Sequence, residues 1–164
     1  MTVYIGLGSN ISPEANIARA LELLSREVRL GALSTFYRTE PVGPAGQPPF
    51  VNGVAQVSTE LPPRPLKFEV LRGIEDRMGR RRGPDRYAPR TIDLDVLLHG
   101  DMVVNEPGMV LPDPDLRTRP FLAAALLELA PGLVLPVSGW PGEPLADFSR
   151  RLQERFIRHE SQTH

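Results

Sequence analysis

The chain has 164 residues, 41% hydrophobic and 24% charged, with a formal net charge of -1. That is the profile of one globular domain with a buried core, and it offers no global field for nucleic acid or a membrane. The absence of cysteine excludes disulfides and thiol catalysis and agrees with a reducing, cytoplasmic setting. The opening residues lack a signal-peptide order, and the longest apolar stretch, Phe121 to Ala130, contains Glu128 and is too short to span a bilayer.

Taken in order, Val3 to Gly8 reads as a buried first strand ending in glycines. Ser12-Pro13 supplies an expected N-cap and first helical residue, with Ile17, Leu21, Leu24 and Val28 at helical spacing and Gly31 as the stop. Leu33 to Thr39 is expected as strand two. Pro41 to Pro49 is expected as a long loop, because proline removes donors and glycine costs entropy. Phe50 to Thr59 alternates as strand three. Pro62-Pro63 opens a second helix carrying Leu66, Val70, Leu71, Ile74 and Met78, and Gly79 closes it. An arginine-rich loop, Arg80 to Arg90, leads into Thr91 to Leu98, where Ile92, Leu94, Val96 and Leu98 are expected on one face and Asp93 and Asp95 on the other. A short strand at Met102 to Val104 and helices at Arg119 to Ala130 and Leu145 to Phe156 complete the reading, with a frayed tail after Arg158. The order β-α-β-β-α-β predicts an α+β fold, a ferredoxin-like sandwich with an extra strand and helices at its C-terminal end, in one domain over residues 1–164.

Two carboxylates one residue apart on a strand point the same way and repel each other unless a cation sits between them. Magnesium takes one or two carboxylates together with phosphate oxygens and water. Alone, Asp93-Leu94-Asp95 describes a solvated pair equally well. Its neighbours add weight to the metal reading: six arginines run from Arg77 to Arg90, while Lys67 is the only lysine. Guanidinium forks suit phosphate oxygens, and carboxylates for metal beside arginines for phosphate are what phosphoryl transfer requires. Other phosphate devices are missing. No G-x-x-x-x-G-K-[ST] occurs, and Gly6-Leu7-Gly8 lacks the third glycine of a dinucleotide fingerprint, since Ile11 occupies that position.

The stretch Pro89-Arg90-Thr91-Ile92-Asp93-Leu94-Asp95 resembles the signature P-R-T-[IL]-D-[LI]-D of the hydroxymethyldihydropterin pyrophosphokinases of folate biosynthesis. Tyr4 to Asn10, Phe36 to Pro44, Phe50-Val51-Asn52 and Arg119-Pro120-Phe121 are similar to further segments of that family, in the same order. The resemblance implies ATP-dependent pyrophosphoryl transfer to 6-hydroxymethyl-7,8-dihydropterin, with ATP as co-substrate and two magnesium ions on Asp93 and Asp95. It implies that Arg80, Arg82, Arg90 and Arg119 contact phosphates, and that Asp95 with Arg80, Arg82 and Arg90 carries catalysis. Glu75 falls at the family's acidic position near the nucleotide, though a helix-end carboxylate paired with Arg77 or Arg80 is an equal reading. Asn52, Thr39, Pro41 and Val42 would read the pterin's polar edge, and Phe50 and Phe121 would sandwich its ring; without the resemblance both phenylalanines would pass for core.

Three departures stand out. Asp113 replaces a histidine that many members place after the proline of Leu111-Pro112; a carboxylate there would repel phosphate unless it turns away or pairs with Arg117 or Arg119, so no phosphate role passes to it. Tyr87 stands where some have tryptophan, and Phe50 where some have tyrosine. The glycines and prolines of Pro41 to Pro49 and Arg80 to Pro89 suit a lid over both substrates. Two other readings remain: a nucleic-acid-binding module, opposed by the acids on the central strand, and a kinase for another alcohol. The expected partners are small molecules, with neither nucleic acid nor membrane, acting on a monomer.

Overall fold

The structure, a computed structural model, describes residues 1–39, 48–80, 83–84 and 90–135. The expectations for Pro41, Val42, Arg82, Arg86, Tyr87, the bulk of both proposed lids and the helix at Leu145 to Phe156 lie outside these residues.

The chain forms an α+β fold around an antiparallel sheet. Its elements are β1 (Thr2–Ser9), α1 (Pro13–Ser25), β2 (Arg29–Leu33), β3 (Tyr37–Thr39), β4 (Phe50–Ser58), α2 (Pro63–Pro65), a π-helical stretch (Leu66–Leu71), α3 (Arg72–Arg77), β5 (Asp93–His99), β6 (Val104–Glu106), β7 (Met109–Leu111), a 3-10 turn (Pro114–Arg117) and α4 (Pro120–Leu129). The strand order is β2-β4-β1-β5, and β3 also pairs with β4. Alternation along β1 sends Val3, Ile5 and Leu7 into a core with α1 and the α2–α3 helix, where Leu24, Leu66 and Ile74 are fully buried. The opposite face packs Val54, Leu97 and Leu98 against Leu122, Ala123 and Leu126 of α4. No described helix is long and apolar enough to cross a membrane.

Several boundaries differ from the sequence reading. Ser12 does precede α1, but its φ is 38° and its side chain makes no capping bond. The helix ends at Ser25 rather than at Gly31, which lies in β2, where a Cβ would come within 3.0 Å of the Gln56 carbonyl. The strand expected at Leu33 to Thr39 is paired only at its ends: β2 starts earlier, at Arg29, and stops at Leu33, and β3 takes Tyr37–Thr39. Between them Ser34 turns inward, its N–H donating to the Val54 carbonyl and its hydroxyl accepting the Val54 N–H, so a side chain replaces one rung of the ladder. The strand expected at Met102 to Val104 starts at Val104 and continues through a Pro107-Gly108 turn, with Gly108 at φ 76°, into β7.

The second helix runs as expected to Arg77 and is followed by Gly79 at φ 79°, the left-handed stop that glycine takes without strain. Its π-helical stretch was not foreseen. In β5 the register against β1 shifts between Ile5, opposite Val96, and Tyr4, opposite Leu98. Leu98 therefore joins Leu97 on the α4 side instead of following Ile92, Leu94 and Val96 into the first core.

Candidate active site

Strands β4, β1 and β5 line up two rows of residues; β5, expected from the sequence as a central strand, ends the sheet among the described residues. Gly8 of β1 lies opposite Asn52 on β4 and Asp93 on β5; Gly6 lies opposite Val54 and Asp95. The pair Gly6-Leu7-Gly8, which failed as a dinucleotide fingerprint, keeps β1 bare between the carboxylates and Asn52. A Cβ on Gly8 would collide with Asn52 Oδ1. Above this floor opens a cleft lined by Gly8, Asn52, Asp93, Asp95, Arg119 and Phe121, among others.

Asp93 is held by two arginines. Arg80 Nη1 donates to Oδ1 at 2.9 Å and Arg90 Nη1 to Oδ2 at 2.8 Å. Arg80 also pairs with Glu75, which is only 3% exposed and accepts the Leu94 N–H at 3.3 Å. Of the two readings of Glu75, the pairing with Arg80 is what the structure contains. Burial disfavours the Arg80 charge, but Asp93 and Glu75 outweigh it and raise the guanidinium's pKa.

Asp95 has the same strand face and an opposite setting. Burial is the first cause that pushes its pKa up to about 8, followed by the charges of Asp93, Asp113 and Glu75. That setting favours the protonated carboxyl, and a nearby cation would favour the carboxylate instead. This is the donor chemistry that suits magnesium: two same-face carboxylates, one without an ion pair among the described residues, beside guanidiniums for phosphate. Among the described residues no group of three or more His, Asp or Glu side chains forms a cage, so phosphate oxygens and water would complete the coordination.

The opposite wall belongs to the flat-ring residues. Asn52 Nδ2 donates to Thr39 Oγ1 at 2.9 Å, joining β4 to β3. Phe121, in the first turn of α4, is half-buried and lines the cleft. Phe50 is half-buried two residues before Asn52 on the same face of β4, and is not among the cleft-lining residues. The Glu128 carboxylate of α4 accepts bonds from the Tyr37 hydroxyl and from Thr35 N–H and Oγ1, the latter two at 2.9 Å, which ties the wall bearing Phe121 to the wall bearing Thr39.

Asp113 turns away. Its Oδ1 accepts the Asp115 N–H at 2.8 Å, capping the 3-10 turn, and its own N–H donates to the Leu97 carbonyl at 3.0 Å. Burial raises its pKa to about 6, against the lowering effect of the Asp115 N–H. The turn then carries Arg119, whose N–H donates to the Asp115 carbonyl at 2.9 Å.

The sequence reading missed Gly8, Ser9, Asn10 and Glu128. Gly8 had a legible signal, a glycine at the strand position that faces the acids; the others show no chemistry until the chain is packed.

Residues 4–131 match the family described as 7,8-dihydro-6-hydroxymethylpterin-pyrophosphokinase. The chain is 44% identical over 137 residues to the 2-amino-4-hydroxy-6-hydroxymethyldihydropteridine pyrophosphokinase of Pseudomonas aeruginosa, covering 82% of this chain and 83% of the other. It is 40% identical over 141 residues to the protein of that name from Haemophilus influenzae, covering 84% and 87%. It is also 37% identical over 139 residues to the folic acid synthesis protein fol1 of Pneumocystis carinii, covering 84% of this chain and 18% of that longer one.

Proposed function

The chain belongs to the 7,8-dihydro-6-hydroxymethylpterin-pyrophosphokinase family, and from that premise we propose that it transfers the pyrophosphoryl group of ATP to 6-hydroxymethyl-7,8-dihydropterin, a step of folate biosynthesis. The carrying observation is the juxtaposition across Gly8: carboxylates and arginines on one side, Asn52 and Phe121 on the other. One half suits a metal-bound polyphosphate, the other a flat heteroaromatic ring with amide-like edges.

On this reading Asp93 and Asp95 hold two magnesium ions, which would neutralise phosphate charge and acidify a bound hydroxyl. Arg80 and Arg90, now on Asp93, turn to the phosphates, joined by Arg82 and Arg119. Glu75 acts through Arg80. Asn52 and Thr39, with Pro41 and Val42, bind the pterin edge, and Phe121 with Phe50 covers its faces. The substrate's hydroxymethyl oxygen attacks the β-phosphorus of ATP, the bond to the α-phosphate oxygen breaks, and AMP leaves with that oxygen. Once the arginines have turned to the phosphates, either Asp95 or Asp93 would lie near enough to take the hydroxyl proton. The strand order supports a ferredoxin-like arrangement with the β6–β7 hairpin and α4 as additions. The enzyme is read as a single cytoplasmic domain and a monomer, acting on small molecules; Asp93 and Asp95 oppose binding of a nucleic-acid backbone.

The test is product analysis with ATP, magnesium and the pterin alcohol. Pterin-dependent AMP without ADP is expected. ADP would identify transfer of a single phosphoryl group and overturn the reading.

A further inference from the structure

Asn10 leaves β1 buried, 4% exposed, and its hydrogen bonds go to one residue. Its N–H donates to the Arg90 carbonyl at 3.2 Å, and its Oδ1 accepts the Arg90 N–H at 2.7 Å. The preceding Ser9, also buried, sets its hydroxyl 2.6 Å from the Thr91 carbonyl. These bonds engage three successive peptide units where the arginine-rich stretch leads into β5. Among the described residues the other end of the Asn10 amide, Nδ2, is buried without an acceptor. Arg90 alone therefore sets the amide's orientation, because a flipped amide would aim N–H at N–H. From this clamped backbone the Arg90 guanidinium reaches Asp93 at 2.8 Å.

We propose that Asn10 is a positioning residue for Arg90, holding the backbone from which its guanidinium swings between Asp93 and the transferred phosphates. The inference rests on the reading of Arg90 as a phosphate-binding group. Asn10 touches no reacting atom; it narrows where a long side chain can reach, and groups that stabilise developing charge lose effect with small misplacement. Its loss falls on kcat more than on KM for the pterin, because the pterin residues lie on the other side of Gly8.

A double-mutant cycle on kcat, with Tm measured for each protein, tests this. Arg90→Ala is expected to slow turnover ~10²-fold and Asn10→Ala ~10-fold, with the double variant no slower than Arg90→Ala alone. Asn10→Asp keeps an acceptor in place and is expected within about threefold of the parent. A merely structural asparagine would lower Tm and multiply with Arg90→Ala. That multiplicative result, or Asn10→Ala at the parental rate beside a slow Arg90→Ala, overturns the inference and leaves the role of Arg90 standing. Arg90→Ala at the parental rate removes that role and the inference together. If Asn10→Ala does not fold, Ser9→Ala, which cuts the bond to Thr91, takes its place with the same expected non-additivity, and a multiplicative result overturns the proposal there too.

Discussion

The two ends of β5 differ in how they treat polar atoms. At the Asp93 end alternation is strict: Ile92, Leu94 and Val96 enter one core while Asp93 and Asp95 face the cleft. At the other end the register slips, Val96, Leu97 and Leu98 are buried in succession, and His99 is buried with Nε2 2.8 Å from the Leu61 carbonyl. The far end uses its residues to close two cores. The near end leaves a carboxyl under electrostatic pressure, a group that weakens the empty protein and that the proposed reading gives to a cation. Stability and chemistry are thus drawn from opposite ends of one strand.

Substitutions at each end sharpen that contrast. Leu98→Ala is expected to cost ~2–5 kcal/mol of unfolding free energy, as buried leucines do, while kcat of the folded fraction stays near the parent's. Denaturant melts beside turnover measure both; an equal loss of kcat would break the division of labour. Asp95→Ala is expected to lose at least ~10² in kcat, in the range for removing a key electrostatic group. Near-normal turnover there would end the metal-site reading. Gly8→Ala adds a methyl group to the cleft floor against Asn52 and is expected to raise KM for the pterin about tenfold, by misplacing one polar contact.

The acid pressure has a sign that can be measured. The Asp95 carboxyl has a higher pKa folded, about 8, than its ordinary 3.8. As pH rises the unfolded chain loses the proton first, so stability present below pH 4 is lost as pH rises towards 8. Asp95→Asn is expected to flatten this decline, its Tm advantage over the parent growing from about pH 5 to about pH 8. Parallel Tm–pH curves would show that Asp95 is not the strained group. The smallest effect belongs to Asp113→Ala, which removes the cap of the 3-10 turn and is expected to cost about 1 kcal/mol, with Asp113→Asn close to neutral because an amide oxygen caps equally well.

How much of this was legible in the sequence depends on whether a residue's meaning is local. Ile92 to Asp95 could be read because acids alternating with aliphatics leave one orientation for the strand. Leu97-Leu98 could not, because the apolar residues after Val96 look the same on either face and the slip is decided by β1. Ser34 hid a strand break, since its hydroxyl replaces a backbone rung only when Val54 is opposite. Gly31 was mistaken for a helix stop; its small size serves a close approach to Gln56 across two strands. The Pro107-Gly108 turn was written in the residues and went unread. Asn10 and Ser9 are short polar side chains whose roles exist only once residue 90 lies beside them.

The π-helical stretch Leu66–Leu71 has a consequence for how this chain can change length. A wide turn carries an extra residue relative to an α-helix, and each α-helical residue advances the helix by about 100°. A π turn takes up its extra residue over nearly the same sweep that an α turn makes without it, so the α-helical segments on either side keep their facing. Removing one residue between Leu66 and Leu71 would restore α-helical hydrogen bonds and leave α3 close to its present rotation, with Ile74 in the core and Glu75 beside Arg80 and the Leu94 N–H. A one-residue deletion inside α3 has no such slack and would turn the residues after it by about 100°, so this helix can change length at its π turn and not beside it.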